Sequence, residues 1–302
     1  SSYLATLLPM NLKIENLQKA YGDRQVLKDL TFQIPPGDVY GLLGANGAGK
    51  TTTINIICNL LKADRGSVSV CDRPVSNRTK KLIGIAPQEN LTCEENLDFF
   101  ARVYGLNHRD RLRRIEYCLE SVNLLDRAKS PAETLSGGMQ RRLNIAIALV
   151  HQPKLLILDE PTTGLDIEAR YEIWELIRSL KHQGMTVLLT THFLDEAERL
   201  CQTIGILKNG QLLAEGNIAE LSKTIPAREI AIVQTEEEER AIECGLKWGF
   251  TPRHYGNDLA FWLPEHLELA EILVRFEGIE IDSISRQPIR LEHIYVELTQ
   301  EG

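Results

Sequence analysis

Residues 38–52 read "DVYGLLGANGAGKTT", and the fold follows from how this stretch divides. Val39 to Leu43 is a short, unbroken apolar run, the pattern of a strand buried on both faces. It ends in a glycine-rich turn, and a helix is predicted to open near Gly49. Gly44, Gly49, Lys50 and Thr51 satisfy the spacing G-x-x-x-x-G-K-[ST] in the context that gives it a mechanism, after a buried strand and at a helix N-terminus. The glycines let the backbone N–H groups of Ala45, Asn46, Gly47 and Ala48 turn inward around a β-phosphate. Lys50 offsets charge on the β- and γ-phosphates, and Thr51, followed by Thr52, offers a hydroxyl to Mg²⁺.

The same strand grammar recurs at "LLILDEP" (155–161), "TVLLTTH" (186–192) and "TIGILKNG" (203–210). Such strands alternating with helices predict a parallel sheet with helices on both faces. A Mg²⁺ held by one hydroxyl and phosphate oxygens needs a carboxylate, which Asp159 supplies at the end of a buried strand. Glu160, beside it, is placed to orient and deprotonate an attacking water. Two acids there without such a task sit unpaired at a sheet edge. Two polar residues also follow apolar strands: Gln88 after "LIGIAP", able to bridge Mg²⁺ and water, and His192 after "TVLLTT", able to contact a γ-phosphate. Alone, each is an ordinary hydrogen-bonded polar residue; with the two loops they join the candidate site. Tyr21 either stacks an adenine ring or is a partly buried structural aromatic.

Around this core the texture changes. Residues 12–34 alternate, with Leu30, Phe32 and Ile34 on one face, and predict antiparallel strands. Between about 93 and 150 helical spacing takes over, as in Leu112, Ile115, Leu119 and Val122, which predicts a helical insertion. Arg109 to Arg114 and Arg141 to Arg142 read there as a solvated helix face. After "SKTIPAREI" (222–230) the pattern restarts as strand, helix, two strands, helix, strand, the order of a small ferredoxin-like unit. Thr235 with Glu238 predicts a capping box that accounts for the acidic run Glu236 to Glu239.

With 302 residues and 43% hydrophobic content, the chain is long enough for one large domain or two. A net charge of −8 argues against sequence-blind nucleic-acid binding. Six widely spaced cysteines without a C-x-x-C pair suggest neither a zinc site nor a disulfide framework, and read as small buried hydrophobes in a reducing cytosol. No apolar run approaches the ~18–20 residues of a membrane helix. The opening "SSYLATLLP" lacks the basic start of a signal peptide and reads as an ordinary leader or an added remnant ahead of Met10.

"LSGGMQRR" (135–142) presents backbone N–H groups as a phosphate cradle does, yet contains no lysine to neutralise a phosphate. Such a cradle completes a charge-neutralised site rather than creating one. With Gly44 to Thr51, Gln88, "LSGGMQ", "LLILDEP", "GLD" (164–166) and His192 in that order, residues 11 to about 222 resemble the ATPase subunit of an ABC transporter. The resemblance implies an α/β P-loop fold with an antiparallel β subdomain and a helical subdomain at about 93–150, covering 11–222, followed by an α+β ferredoxin-like regulatory or dimerisation domain at 223–302. It implies ATP and Mg²⁺ as cofactors, Glu160, His192 and Gln88 as catalytic residues, and Thr51, Gln88 and Asp159 around the metal. Ser136, Gly137, Gly138 and Asp166 then serve ATP held by the facing subunit, a second copy or a paralogous ATPase, in a closed two-fold arrangement.

"LSGGMQRRL", with Met139 where many members carry Gln, "LTCEENLDFFARVYGL" (91–106) and "IRLEHIYVELT" (289–299) resemble the exporter branch with a separate type 2 permease, related to daunorubicin-type drug exporters and lipid exporters of the A subfamily. The implied location is the cytoplasmic face of a membrane, through the permease, with no nucleic-acid partner. One departure from that branch is the loop between Gln88 and Leu91, which has only Glu89 and Asn90. The alternative is an ABC ATPase acting in iron–sulfur assembly, repair or translation. Against it, the chain has neither a long internal coiled coil nor a second ATPase domain, and it carries an 80-residue tail.

Overall fold

The computed structural model describes residues 11–76 and 91–300, and the chain divides into two units between Glu215 and Gly216. In the first, β1 (Leu12–Tyr21) and β2 (Arg24–Ile34) form the antiparallel pair expected from their alternation, with Leu12 opposite Ile34. Leu30, Phe32 and Ile34 are buried on one face. β3 (Val39–Leu43) is buried at every position and feeds α1 (Lys50–Ile57). β4 (Arg65–Val70) and β5 (Arg73–Pro74) complete a sheet of order β2-β1-β4-β5. These last two strands escape the sequence reading because "RGSVSV" exposes its first half and offers few apolar positions.

The helical region comprises α2 (Cys93–Val103), α3 (His108–Ser121) and α4 (Gly137–Leu149). α2 begins with a complete capping box of Thr92 and Glu95, which satisfies two otherwise orphaned N–H donors. The arginines of this region correct the expectation of a solvated face. Arg111 pairs with Asp98 at 2.7 Å, and Arg114 donates to the carbonyls of Leu149 (2.7 Å) and Val150 (3.2 Å). Arg142 is buried and donates to the carbonyls of Val122 and Asn123. Guanidiniums satisfy loose helix-end carbonyls here; of the arginines read as solvated, Arg109 and Arg113 are exposed.

β6 (Leu155–Asp159), α5 (Ile167–His182), β7 (Thr186–Thr191), α6 (Leu194–Leu200), β8 (Thr203–Lys208) and β9 (Gln211–Gly216) finish the unit. The main sheet has the order β6-β7-β3-β8-β9, with β6, β7, β3 and β8 parallel. One face packs Val39, Leu156, Leu158, Val187 and Leu189 against the helices, including Trp174. The other packs Tyr40, Leu42 and Leu188 against the antiparallel sheet and α1. Successive residues of the β3 run thus enter opposite cores, the reason it is apolar throughout.

The second unit starts at α7 (Ile218–Leu221) and contains β10 (Glu229–Gln234), α8 (Glu238–Lys247), β11 (Thr251–Tyr255), β12 (Asp258–Leu263), α9 (Leu269–Arg275), β13 (Ser283–Gln287) and α10 (Leu291–Gln300). Its antiparallel sheet has the order β11-β12-β10-β13. The division falls before residue 222, where the sequence reading placed it, because α7 packs on α10. The expected Thr235–Glu238 capping box is absent: α8 opens after Glu237 without a side-chain cap. Thr235 Oγ1 instead accepts from the N–H of Glu237, whose carboxylate accepts from the N–H of Glu280, so both side chains tie the helix entrance to a neighbouring loop.

Phe261 anchors this unit's core: it is fully buried, with ring centroids 5.1 Å from Phe276 and 6.5 Å from Phe250. Phe261→Ala should destabilise the unit by about 3–5 kcal/mol, a large fraction of a small domain's stability. Hydrogen exchange should report it as lost protection in β10 and β12, with β3 and β7 unchanged.

Candidate functional site

Three loops leave the same edge of the main sheet because their strands are parallel and in register. Leu43 of β3 lies opposite Thr191 of β7, and Asp159 of β6 lies opposite Thr190. The segments that follow, starting at Gly44, Glu160 and His192, therefore open side by side at the carboxyl ends of the strands, where open α/β sheets place their ligands.

Gly49 closes the first loop at φ +110°, where a Cβ would lie 2.6 Å from Leu27 Cδ2. Both the dihedral and the space demand glycine. Lys50, at the start of α1, is 5% exposed. Its Nζ donates to the carbonyls of Gly44 (2.7 Å) and Ala45 (3.3 Å) and lies 3.1 Å from Glu160 Oε1. Thr51 Oγ1 donates to Asp159 Oδ2 at 3.2 Å, and Asp159 Oδ1 accepts from Thr190 Oγ1.

Glu160 sits in left-handed backbone at φ 46°, held by its N–H donating to the carbonyl of Thr190 at 3.1 Å. A non-glycine residue in that region stores strain that its surroundings must hold. The second carboxylate oxygen accepts from Thr163 Oγ1 and lies 3.1 Å from His192 Nδ1. Partial burial pushes this carboxyl up, but the close approach of Lys50 and His192, the hydrogen bond from Thr163 and the charge of Lys50 outweigh it and hold Glu160 below the usual range.

A cavity beside the loop is lined by Tyr21, Arg24, Asn46, Gly47, Lys50 and Glu160 among others. Tyr21 is half exposed rather than a packed structural aromatic.

A sequence model of the family described as "ABC transporter" matches residues 27–163. The chain is 37% identical over 296 residues to the Nod factor export ATP-binding protein I of Cupriavidus metallidurans, covering 95% of this chain and 97% of that one. The chain belongs to the ABC transporter family. It is also 44% identical over 218 residues to the linearmycin resistance ATP-binding protein LnrL of Bacillus subtilis, 70% of each chain. Among solved structures, the dimeric bacterial ABC transporter cassette MJ0796 superposes with a TM-score of 0.62 at 28% identity, over 68% of this chain and 98% of that one. Among the described residues no helix is long and apolar enough to cross a membrane.

The remaining candidates of this ABC chain form a second surface. Ser136 caps α4, its Oγ accepting from the N–H of Met139 at 3.3 Å, and Asp166 caps α5, accepting from the N–H of Ala169 at 2.8 Å. A Cβ on Gly138 would lie 2.7 Å from the methyl of Ala169, so the two helix starts touch. None of Ser136, Gly137, Gly138 and Asp166 lines the cavity beside Lys50. Gln88 lies outside the described residues. Sequence reading passed over Arg24, whose Nη2 lies 3.7 Å from the Cβ position of Gly47, and also Thr190 and Thr163. Arg24 belongs to no motif, and the two threonines reach Asp159 and Glu160 only through strand register and a tight turn.

Removing the Lys50 ammonium removes the strongest influence lowering the Glu160 carboxyl. In Lys50→Met, a side-chain carbon NMR titration should find the Glu160 pKa raised relative to wild type. Because the folded value is lowered, the group's stabilising contribution is present above its ordinary value of 4.5 and is lost as pH falls through the folded value. In the variant that contribution shrinks.

Proposed function

We propose that this chain is the ATP-hydrolysing subunit of an exporter: it dimerises around ATP, separates after hydrolysis, and so drives a separate membrane permease. The observation that carries the reading is the meeting of Lys50, Glu160 and His192 at one sheet edge, beside a glycine-rich turn at the start of a helix. ATP phosphates suit the glycine-rich turn at the N-terminus of α1, and the half-exposed Tyr21 ring supports stacking by the adenine.

The contacts of Lys50 also support a sequence of events. A buried ammonium goes to the strongest anion within reach, so arriving phosphates draw Lys50 from the Gly44 and Ala45 carbonyls and from Glu160. Glu160 thereby loses the interaction that most depresses its basicity and becomes the better acceptor for a proton from water. That proton leaves the water as its oxygen attacks the γ-phosphorus and the bond to the β-phosphate oxygen breaks, yielding ADP and phosphate. His192, 3.1 Å from Glu160, orients the carboxylate and is within reach of the γ-phosphate. Thr51 and Asp159, an oxygen-only pair already in contact, suit Mg²⁺, which keeps several waters and phosphate oxygens in its shell and would neutralise phosphate charge there; Gln88 joins them in this reading.

Ser136, Gly137, Gly138 and Asp166, two touching helix N-termini apart from the cavity, serve the ATP of a facing copy. Between α2 and α3 an apolar trough is lined by Phe99, Leu112, Ile115 and Leu125, with Glu94 and Glu116 at its rim. Phe99, Leu112 and Leu125 are more than a third exposed, which supports docking of a cytoplasmic helix of the permease. In the second unit, a β-α-β-β-α-β succession with its first and third strands central supports the ferredoxin-like reading, and we assign that unit to regulating the dimer.

Two experiments check this. Lys50→Ala should abolish ATP binding, whereas Glu160→Gln should bind ATP and hydrolyse it roughly 10²–10⁴ times more slowly; equilibrium affinity and turnover, measured separately, decide between these roles, and a Glu160→Gln chain with normal turnover refutes the assignment. Ser136→Arg and Lys50→Ala chains should each be inactive alone and recover part of the activity when mixed, because one site of the mixed dimer is intact. Full activity of either variant alone contradicts the sandwich.

A further inference from the structure

Behind the site lies a carboxylate sealed from solvent. Glu196, in the first turn of α6, is 0% exposed. Its Oε1 accepts from Thr162 Oγ1 at 2.7 Å and from Trp174 Nε1 at 3.1 Å, and its Oε2 has no hydrogen-bond partner. Among the described residues no cation lies within ion-pair distance. The nearby guanidiniums are turned elsewhere, Arg170 over the Phe193 ring at 4.8 Å and Arg199 over the Trp174 ring at 5.5 Å. Burying a carboxyl with two neutral donors is expensive. A leucine would fill the same space without that expense, but it cannot accept from a loop and a helix at once.

The place of those donors matters. Thr162, itself 0% exposed, lies two residues after Glu160, and Glu196 lies four residues after His192. Glu160 and His192 meet at 3.1 Å, so the Thr162–Glu196 bond joins the two loops just behind the point where their functional side chains touch. On its other side Glu160 is tied to β7 through its N–H. The strained Glu160 backbone is therefore gripped from two directions, by the sheet and by the buried bridge. Trp174 extends the bridge to α5, the helix capped by Asp166.

We infer that Glu196 is a positioning residue for ATP hydrolysis: through Thr162 it holds the Glu160 loop against the helix that follows His192, and so keeps Glu160 and His192 in register. This rests on the proposed ATPase reading. The bridge touches neither Lys50 nor the glycine-rich loop, so it governs turnover and not ATP affinity.

Thr162→Val removes the donor at nearly constant shape. It should lower kcat by about ten- to a hundredfold, the effect of misplacing a catalytic group by up to an ångström, with the Kd for ATP unchanged. Glu196→Gln keeps an acceptor for both donors and should retain most of the wild-type kcat; Glu196→Leu should fall as far as Thr162→Val, and the double variant no further. Trp174→Phe removes the other donor, on α5, and should lower kcat less than Thr162→Val does, because the Thr162–Glu196 bond between the two loops remains. Wild-type kcat in Thr162→Val overturns the inference, as does a Kd for ATP that weakens in step with kcat. If Glu196→Leu does not fold, Thr162→Val and Glu196→Gln still decide. A wild-type chain that hydrolyses no ATP contradicts instead the proposed function.

Discussion

Lys50 carries a charge almost wholly removed from water, and much of the first unit is arranged around that fact. An ammonium in such a place must be met by oxygen. The sequence offers no acid within its own loop; the oxygens come from the carbonyls of Gly44 and Ala45 and, from a different strand, the carboxylate of Glu160. The first requirement turns the Gly44 and Ala45 carbonyls toward the ammonium. The second pulls the end of β6 toward the start of α1, across the intervening β7. Parallel register makes that reach short, because three strand ends stop at the same level. The ammonium is thus neutralised from within the chain, by Glu160 at 3.1 Å and by two loop carbonyls.

Two buried polar side chains in this unit are held in opposite ways. Lys50 has an acid partner from another strand, Glu160, at 3.1 Å. Glu196 has only neutral donors, a hydroxyl and an indole N–H, each oriented by a packed element. Two donors fixed by packed elements suit a group that stays still.

The second unit stabilises its last helix with a polar arrangement of another kind. Trp262 Nε1 donates to Tyr255 Oη at 2.9 Å, Tyr255 Oη donates to Glu297 of α10 at 3.2 Å, and the Arg253 guanidinium stacks 4.1 Å over the Trp262 ring while pairing with Glu297 at 3.3 Å. Here α10 is fixed to the sheet by direction-specific contacts as well as by Leu291 and Ile294, both fully buried, so its register along the sheet is defined.

What could be read from the sequence is what depends on neighbours in the chain. The run Val39 to Leu43, the glycines around Ala45 to Ala48, and the acids that follow "LLIL" are local facts: burial on both faces, positive φ and a strand end each demand particular residue types within a few positions. The helix-end roles of Arg114 and Arg142, the placement of Arg24 over the glycine loop, the loss of the expected Thr235 cap to a bond with a distant loop, and the Thr162–Glu196 bridge were not legible there. Each joins groups from 19 to 45 residues apart, and their meeting is set by strand order and helix packing. Local chemistry marked Gly44 to Thr51, Asp159, Glu160 and His192 as candidates. Only the tertiary structure decided which carboxylate neutralises Lys50 and which buried bond holds Glu160 beside His192, because these depend on three strands ending together, a property of the sheet and not of any single segment.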